Sequence, residues 1–459
     1  PRGGRHDRGG DAWLLNAERE LSARTAIGGE WFRLDPEYNT TLTVTDLTLK
    51  QYTDPPGPFA GDLGTVRDAL NFTLDLNSVD DNDDKDPFPD NFFLPSFSDL
   101  NGVFPGLDKD LDGQPDTNRN FNSVPDYFEP VLLYDVDPDD FSYGEDLDNN
   151  GVIDLREDDN APDYPYDLNR KGYHVYLRDR PMSKLDLRVG RYDMTAIRGG
   201  MRSRSNYIVG EYTWDFPAVG DLRIVDFFKR VKDDIPDDVA RYGDIANFDR
   251  LNPRGVIRVF VEDELLMKNS WVNTFFINGR LTALQNFFAE ANFKFDYNRQ
   301  VGGMGMDDDP NRIPLWTSVF RTDYTWRLSG LEIAPRYKFM FRKLTDDEGF
   351  VHQLGEWFSY PMVLVRYKFT EQSWFRAGIQ GFPGFPANYR NVEDENQDYD
   401  TKDFLLMIIN RFTYAGYDQV LTAGYQISQR EMKDPSRDVL DINYEQFFIR
   451  MVVGLEPVL

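Results

Sequence analysis

From Lys171 to the C-terminus, apolar and polar residues alternate with a period of two, segment after segment. Within residues 331–342, Leu331, Ile333, Pro335, Tyr337, Phe339 and Phe341 alternate with Glu332, Ala334, Arg336, Lys338, Met340 and Arg342. Ala289, Ala291, Phe293, Phe295 and Tyr297 stand in the same relation to Glu290, Asn292, Lys294 and Asp296, as do Leu185, Leu187 and Val189 to Asp186 and Arg188. Phe447, Ile449, Met451, Val453 and Leu455 form the last apolar face, and Leu70, Phe72, Leu74 and Leu76 an early one. Successive side chains of a strand point to opposite faces, so this alternation predicts strands with one apolar and one polar face.

The connections alternate too. Short turns at 216–220, 328–330, 371–373 and 415–418 are interleaved with long, acidic loops around 194–206, 231–254, 298–314, 343–358, 381–402 and 429–443. The expected fold is all-β: an antiparallel up-and-down transmembrane β-barrel of about 16–18 strands, with roughly 14 after residue 170 and three or four before residue 77. Between residues 231 and 286 the long and short connections lose step, so one strand there is missed or over-split.

Composition narrows the setting. The 459 residues hold 79 Asp plus Glu against 51 Lys plus Arg, a formal net charge of −28, which argues against nucleic acid as a partner. With no Cys, disulfides and thiolate metal sites are excluded, leaving oxygen ligands. Mean hydropathy is −0.57 and no apolar run is long enough for a transmembrane helix, yet a barrel strand exposes only every second residue to lipid. The opening Pro1-Arg-Gly-Gly reads as a processed chain or a fragment.

The whole pattern resembles a Gram-negative outer-membrane β-barrel of porin-like type, with Trp214, Trp316, Tyr360, Trp374 and Tyr414 as interfacial aromatics. The resemblance implies a location in the bacterial outer membrane, with outer-membrane lipid and a surface or periplasmic protein as partners. One departure is the ending Leu455-Glu-Pro-Val-Leu459, where such barrels end on an aromatic residue. Residues 1–76 are read as N-terminal barrel strands, 77–170 as an external acidic calcium-binding insertion, and 171–459 as the remaining barrel strands. A soluble β-sandwich explains the same alternation by burying the apolar face.

The insertion carries the most specific motif. Asp146, Asp148, Asn150, Gly151, Asp154 and Glu157 fill the ligand and bend positions of a twelve-residue EF-hand-type calcium loop. Upstream, Asp108, Asp110, Asp112 and Asp116 are repeated as Asn118, Asn120, Asn122 and Asp126, with Glu129 at the place of the last ligand. This tandem spacing resembles thrombospondin type 3 repeats, and the later loop an EF-hand loop, with Ca²⁺ as the expected ion. Solvated acidic turns are the plainer reading of the same residues.

On the polar faces, eleven basic residues (Arg188, Lys294, Arg321, Arg327, Arg336, Lys338, Arg342, Arg366, Lys368, Arg376 and Arg450) stand against six acids, Asp186, Glu211, Glu290, Asp296, Asp323 and Glu332. They predict either an arginine-lined, anion-favouring pore or a ladder of cross-strand ion pairs. His6, His174 and His352 are scattered, and neither GxSxG nor HExxH occurs, so no catalytic residues and no enzyme activity are expected. The expected function is a porin-like channel or transport protein with a calcium-stabilised surface domain. Two alternatives stay open: a plugged barrel anchoring a cell-surface complex, and a secreted calcium-dependent carbohydrate-binding or adhesive β-protein.

Overall fold

A computed structural model describes residues 10–36, 134, 141, 143–151, 153, 169–237, 239–244, 256–261, 263–301, 311–346, 353–414, 417–436 and 442–453. Among the described residues two strands precede the insertion, β1 (Ala12–Glu20) and β2 (Thr25–Leu34). β3 (Arg170–Met182), β4 (Leu185–Ala196), β5 (Arg202–Phe216) and β6 (Gly220–Asp233) follow it. β7 (Val239–Asp244) and β8 (Val256–Val261) pair with each other in a separate two-stranded sheet. Then come β9 (Ser270–Leu281), β10 (Phe287–Gln300), β11 (Arg312–Tyr324), β12 (Trp326–Leu328) and β13 (Leu331–Leu344). β14 (Leu354–Lys368), β15 (Ser373–Gln380), β16 (Ala387–Asn391), β17 (Tyr399–Tyr414), β18 (Tyr417–Met432) and β19 (Ile442–Val453) complete the order.

All but β7 and β8 belong to one 17-stranded sheet in which sequence neighbours pair antiparallel, up and down. β12 continues β11 along the same edge of β13, so sixteen strands remain when the two are taken as one. β15 and β16 share a row between β14 and β17. β6 pairs directly with β9, and the β7–β8 hairpin stands outside the main ladder. In the stretch 231–286, where the connections lose step, the chain forms this hairpin, which contributes no row to the main sheet. The segment 70–76 lies outside the described residues.

Turn chemistry sets the ladder's shape. Gly220 opens β6 at φ 154°, and a Cβ there would collide with the Arg280 backbone carbonyl on β9, so no larger residue fits. The rings of Tyr176 and Tyr207 lie over Gly28 and Gly190 on the adjacent strands, filling the space a side chain would take.

The two faces differ as the alternation predicts. On β6, Val225, Phe227, Lys229, Val231 and Asp233 are buried, while Phe228 and Lys232 point to the other, exposed face. Phe293, Phe295 and Trp316 pack together on that outer face, as do Phe339 and Trp357. Phe447, Ile449 and Met451 are 56–69% exposed there, an extent of bare apolar surface that water would penalise. The side chain of Val453 is outside the described residues. Trp214, Trp316 and Tyr414 do lie on the exposed face; Tyr360 and Trp374, expected beside them, are buried on the inner one. They fall on the polar phase of β14 and β15, where their partners across the strands are Lys338 and Lys368.

Candidate functional site

Within the 77–170 segment, Tyr134, Phe141, Tyr143, Glu145, Asp146, Leu147 and Asn149 meet the sheet's inner face. The physical reason is a short aromatic run, Tyr134, Phe141 and Tyr143, that buries itself in the sheet. Tyr134 and Phe141 pack with Val319, Met340, Tyr360, Met362 and Ala387 on β11, β13, β14 and β16. Tyr143 and Leu147 pack with Tyr192, Tyr207, Val209, Val225, Phe227 and Phe276 on β4, β5, β6 and β9.

Polar groups fix the segment on both walls. Arg321 Nη1 donates to the Tyr134 carbonyl at 3.5 Å, the Tyr134 hydroxyl donates to Asp323 at 3.4 Å, and the Arg336 guanidinium lies 4.7 Å from the ring centre. On the other wall, Arg188 pairs with Glu145, and the Lys229 ammonium donates to the Asp146 carbonyl at 3.0 Å and its carboxylate at 3.2 Å. Asn149 Nδ2 donates to Ser203 Oγ at 3.0 Å. Tyr143 stacks on Phe276 with 5.9 Å between ring centres, beneath the Arg223 guanidinium. Burial pushes the Tyr143 hydroxyl up to about 12, so it stays a neutral donor.

Most of the basic residues expected to line a pore are in ion pairs. Arg188 is paired with Glu145, Lys294 with Asp296, and Arg321 with Glu290. Arg327 and Arg366 share Glu332, Arg342 pairs with Glu356, and Lys368 with Glu371. Lys338 is fully buried. Arg376 faces Arg366 and Met407 across the strands, and Arg450 stands opposite Thr422. Four of these residues, Arg321, Arg327, Arg342 and Arg366, make their pairs across neighbouring strands. Two of the partner acids, Glu145 and Glu356, carry no signal in the alternation of the strands first read.

The calcium loop is described only in its first half. Asn149 and Gly151 have positive φ, 70° and 91°, giving the bend the pattern requires at glycine. The Asp148 carboxylate accepts from the Asn150 backbone and side-chain amides, at 3.2 and 2.9 Å, and the Asp146 carboxylate holds Lys229. An ion at Asp146 has to displace that ammonium. No group of three His, Cys, Asp or Glu among the described residues could hold a metal. Asp154 and Glu157 lie outside the described residues, as do Asp108, Asp110, Asp112, Asp116, Asn118, Asn120, Asn122, Asp126 and Glu129.

His174, scattered in sequence, is buried on the inner face of β3, stacked on Tyr192 at 3.8 Å with its Nε2 2.7 Å from the Tyr207 hydroxyl. Asp403, on β17, accepts from Gln380 at 3.2 Å and from Ser428, making a second polar tie across three strands.

No protein-family model and no curated relative matches the chain. Ten solved chains do. One is a Pseudomonas aeruginosa FadL homologue, 10% identical, covering 63% of this chain and 79% of that one at a TM-score of 0.25. Another is OmpT, an outer membrane protein of Vibrio cholerae, 9% identical, covering 62% and 88% at a TM-score of 0.24.

Proposed function

We propose that the chain is a bacterial outer-membrane β-barrel whose interior is held shut by its own Tyr134, Phe141, Tyr143, Glu145 and Asp146, so that its resting form is a plugged barrel and not an open porin. The observation that carries this reading is the burial of Tyr134, Phe141 and Tyr143 against inner-face residues from β4 to β16, together with the ion pairs Glu145–Arg188 and Asp146–Lys229. A membrane setting is supported by the exposed apolar outer face, because a soluble sheet leaves no such continuous surface in water. The pairing of Arg188, Lys294, Arg321 and Arg342 with carboxylates favours this reading over a ring of unmatched basic residues selecting anions. Calcium bound by the Asp146–Glu157 loop belongs to the same proposal as a device that draws Asp146 away from Lys229.

Planar-bilayer conductance tests it. Wild-type protein should insert and conduct little, and the Arg188→Ala, Lys229→Met double variant should open to a larger, steadier conductance. Equal, large conductance from both would end the plugged reading; failure of the wild type to associate with vesicles would end the membrane reading.

A further inference from the structure

The outer face changes character along β3 to β6. Ile27, Leu177, Val189, Ile208 and Phe228 form one row across β2 to β6, each 41–51% exposed. In the rows on the long-loop side of it, the outward positions become basic: Lys171, Arg191, Arg202, Arg204, Arg230 and Lys232. Two carboxylates share these rows: Asp193, buried beneath them and opposite Arg204, accepts from Arg191 at 2.9 Å and from Arg202 at 2.5 Å, and Asp234 lies at the outer end, 3.8 Å from Lys268. Arg204 stands directly opposite Lys232, and Lys171 directly opposite Arg33, which is itself paired with Asp35. Like charges directly opposite each other destabilise a sheet unless an anion lies between them.

The imbalance is local. At the corresponding ends of β16 to β18, Lys402 meets Glu431, while Arg390 and Lys433 meet Asp400. The rows around the basic patch also hold Trp31, Tyr173 and Trp271, and Arg230 lies 5.3 Å from the Trp271 ring centre. Trp and Tyr favour the headgroup level of a bilayer, and guanidinium forks match phosphate oxygens.

We infer that the outer face of β3 to β6, just beyond its apolar row, binds the phosphate headgroups of membrane lipid in the leaflet on the long-loop side. The inference rests on the barrel reading above. Phosphates seated among Lys171, Arg202, Arg204 and Lys232 relieve the like-charge opposition, while acyl chains continue along the Ile208 and Phe228 row.

The test titrates the full chain, in neutral detergent, with lipid A bearing both phosphates, with the same lipid stripped of phosphate, and with inorganic phosphate, following bound lipid by native mass spectrometry. Each basic residue near an anionic membrane surface strengthens binding roughly fivefold, so Arg202→Gln, Arg204→Gln and Lys232→Gln together should weaken the phosphorylated lipid on the order of a hundredfold. Lys402→Gln should change nothing, and inorganic phosphate should not displace the lipid. Binding of the triple variant as tight as wild type, equal binding of the stripped lipid, or displacement by inorganic phosphate each overturns the assignment. If the triple variant loses its heat-modifiable gel shift, Lys232→Gln alone replaces it, with a roughly fivefold loss expected and no loss overturning the site. Flotation of the wild type with phosphatidylcholine vesicles tests the barrel separately: protein that stays unbound there removes both readings, whereas floating protein with an unaffected triple variant removes only this one.

Discussion

Lys229, on the inner face of β6, places its ammonium 3.0 Å from the backbone carbonyl and 3.2 Å from the carboxylate of Asp146 in the insertion. Their side chains are 5% and 12% exposed, so the pair is largely cut off from water. Removing one partner of a buried pair costs about 3–5 kcal/mol, because the other charge is left uncompensated. Lys229→Met should therefore loosen residues 143–151 from the wall without dissolving the sheet. Limited proteolysis checks this: cleavage near Asp146 should appear in Lys229→Met and recede when Asp146→Leu is added. Identical cleavage of wild type and single variant would show that the pair does not hold the segment.

Calcium and Lys229 compete for one carboxylate, so their effects should oppose. Loops of this kind outside cells bind with dissociation constants of about 10⁻⁴ to 10⁻³ M. Calorimetric titration should give tighter calcium binding in Lys229→Met than in wild type, and none when Asp154 and Glu157 are both replaced by Ala. Absence of binding in every form would leave the loop as an acidic turn.

Phe339 and Lys338 are neighbours on β13 that point to opposite faces, with Phe339 beside Trp357 outside and Lys338 fully buried inside. A basic residue on the lipid face at mid-membrane costs about 2–4 kcal/mol. Phe339→Arg should impair assembly, whereas Lys338→Met, close in shape and without a charge to bury, should be better tolerated. The ratio of folded to unfolded bands on an unboiled gel measures the difference, and equal ratios would contradict the facing.

The start of β1 and the end of β2 meet at Asp35. Its carboxylate accepts from the Asp11 backbone amide at 3.1 Å and from Arg33 Nε at 2.9 Å. That amide first, and then Arg33, holds the acid below the ordinary aspartate value. Because the folded value is the lower one, the contribution to stability is present above the unfolded pKa and is lost as pH falls through the folded one. Hydrogen exchange at the Asp11 amide should accelerate in acid in the wild type. In Asp35→Asn it should be faster at neutral pH and lose that acid step. An acid step unchanged by the substitution would place its origin elsewhere.

Period-two alternation let the sequence determine that the chain folds into strands and which face each residue takes. Phe339 outside and Lys338 inside follow from their one-residue offset, because a strand's side chains alternate whatever surrounds them. The mixture of short turns and long loops likewise carried the up-and-down order, since an antiparallel neighbour needs only a short connection. At Tyr360 and Trp374 the expectation of interfacial aromatics followed residue type, whereas their phase in the alternation already placed them on the inner face. Which charges meet depended on register: Arg321 finds Glu290 because β10 and β11 align those positions, and a shift of one residue would turn them to opposite faces. Only the tertiary structure brought Tyr134, Phe141 and Tyr143 against the sheet, because their burial depends on walls that lie tens to hundreds of residues away in sequence, from Tyr192 to Ala387. A local pattern cannot encode that meeting; it exists only once the strands have paired.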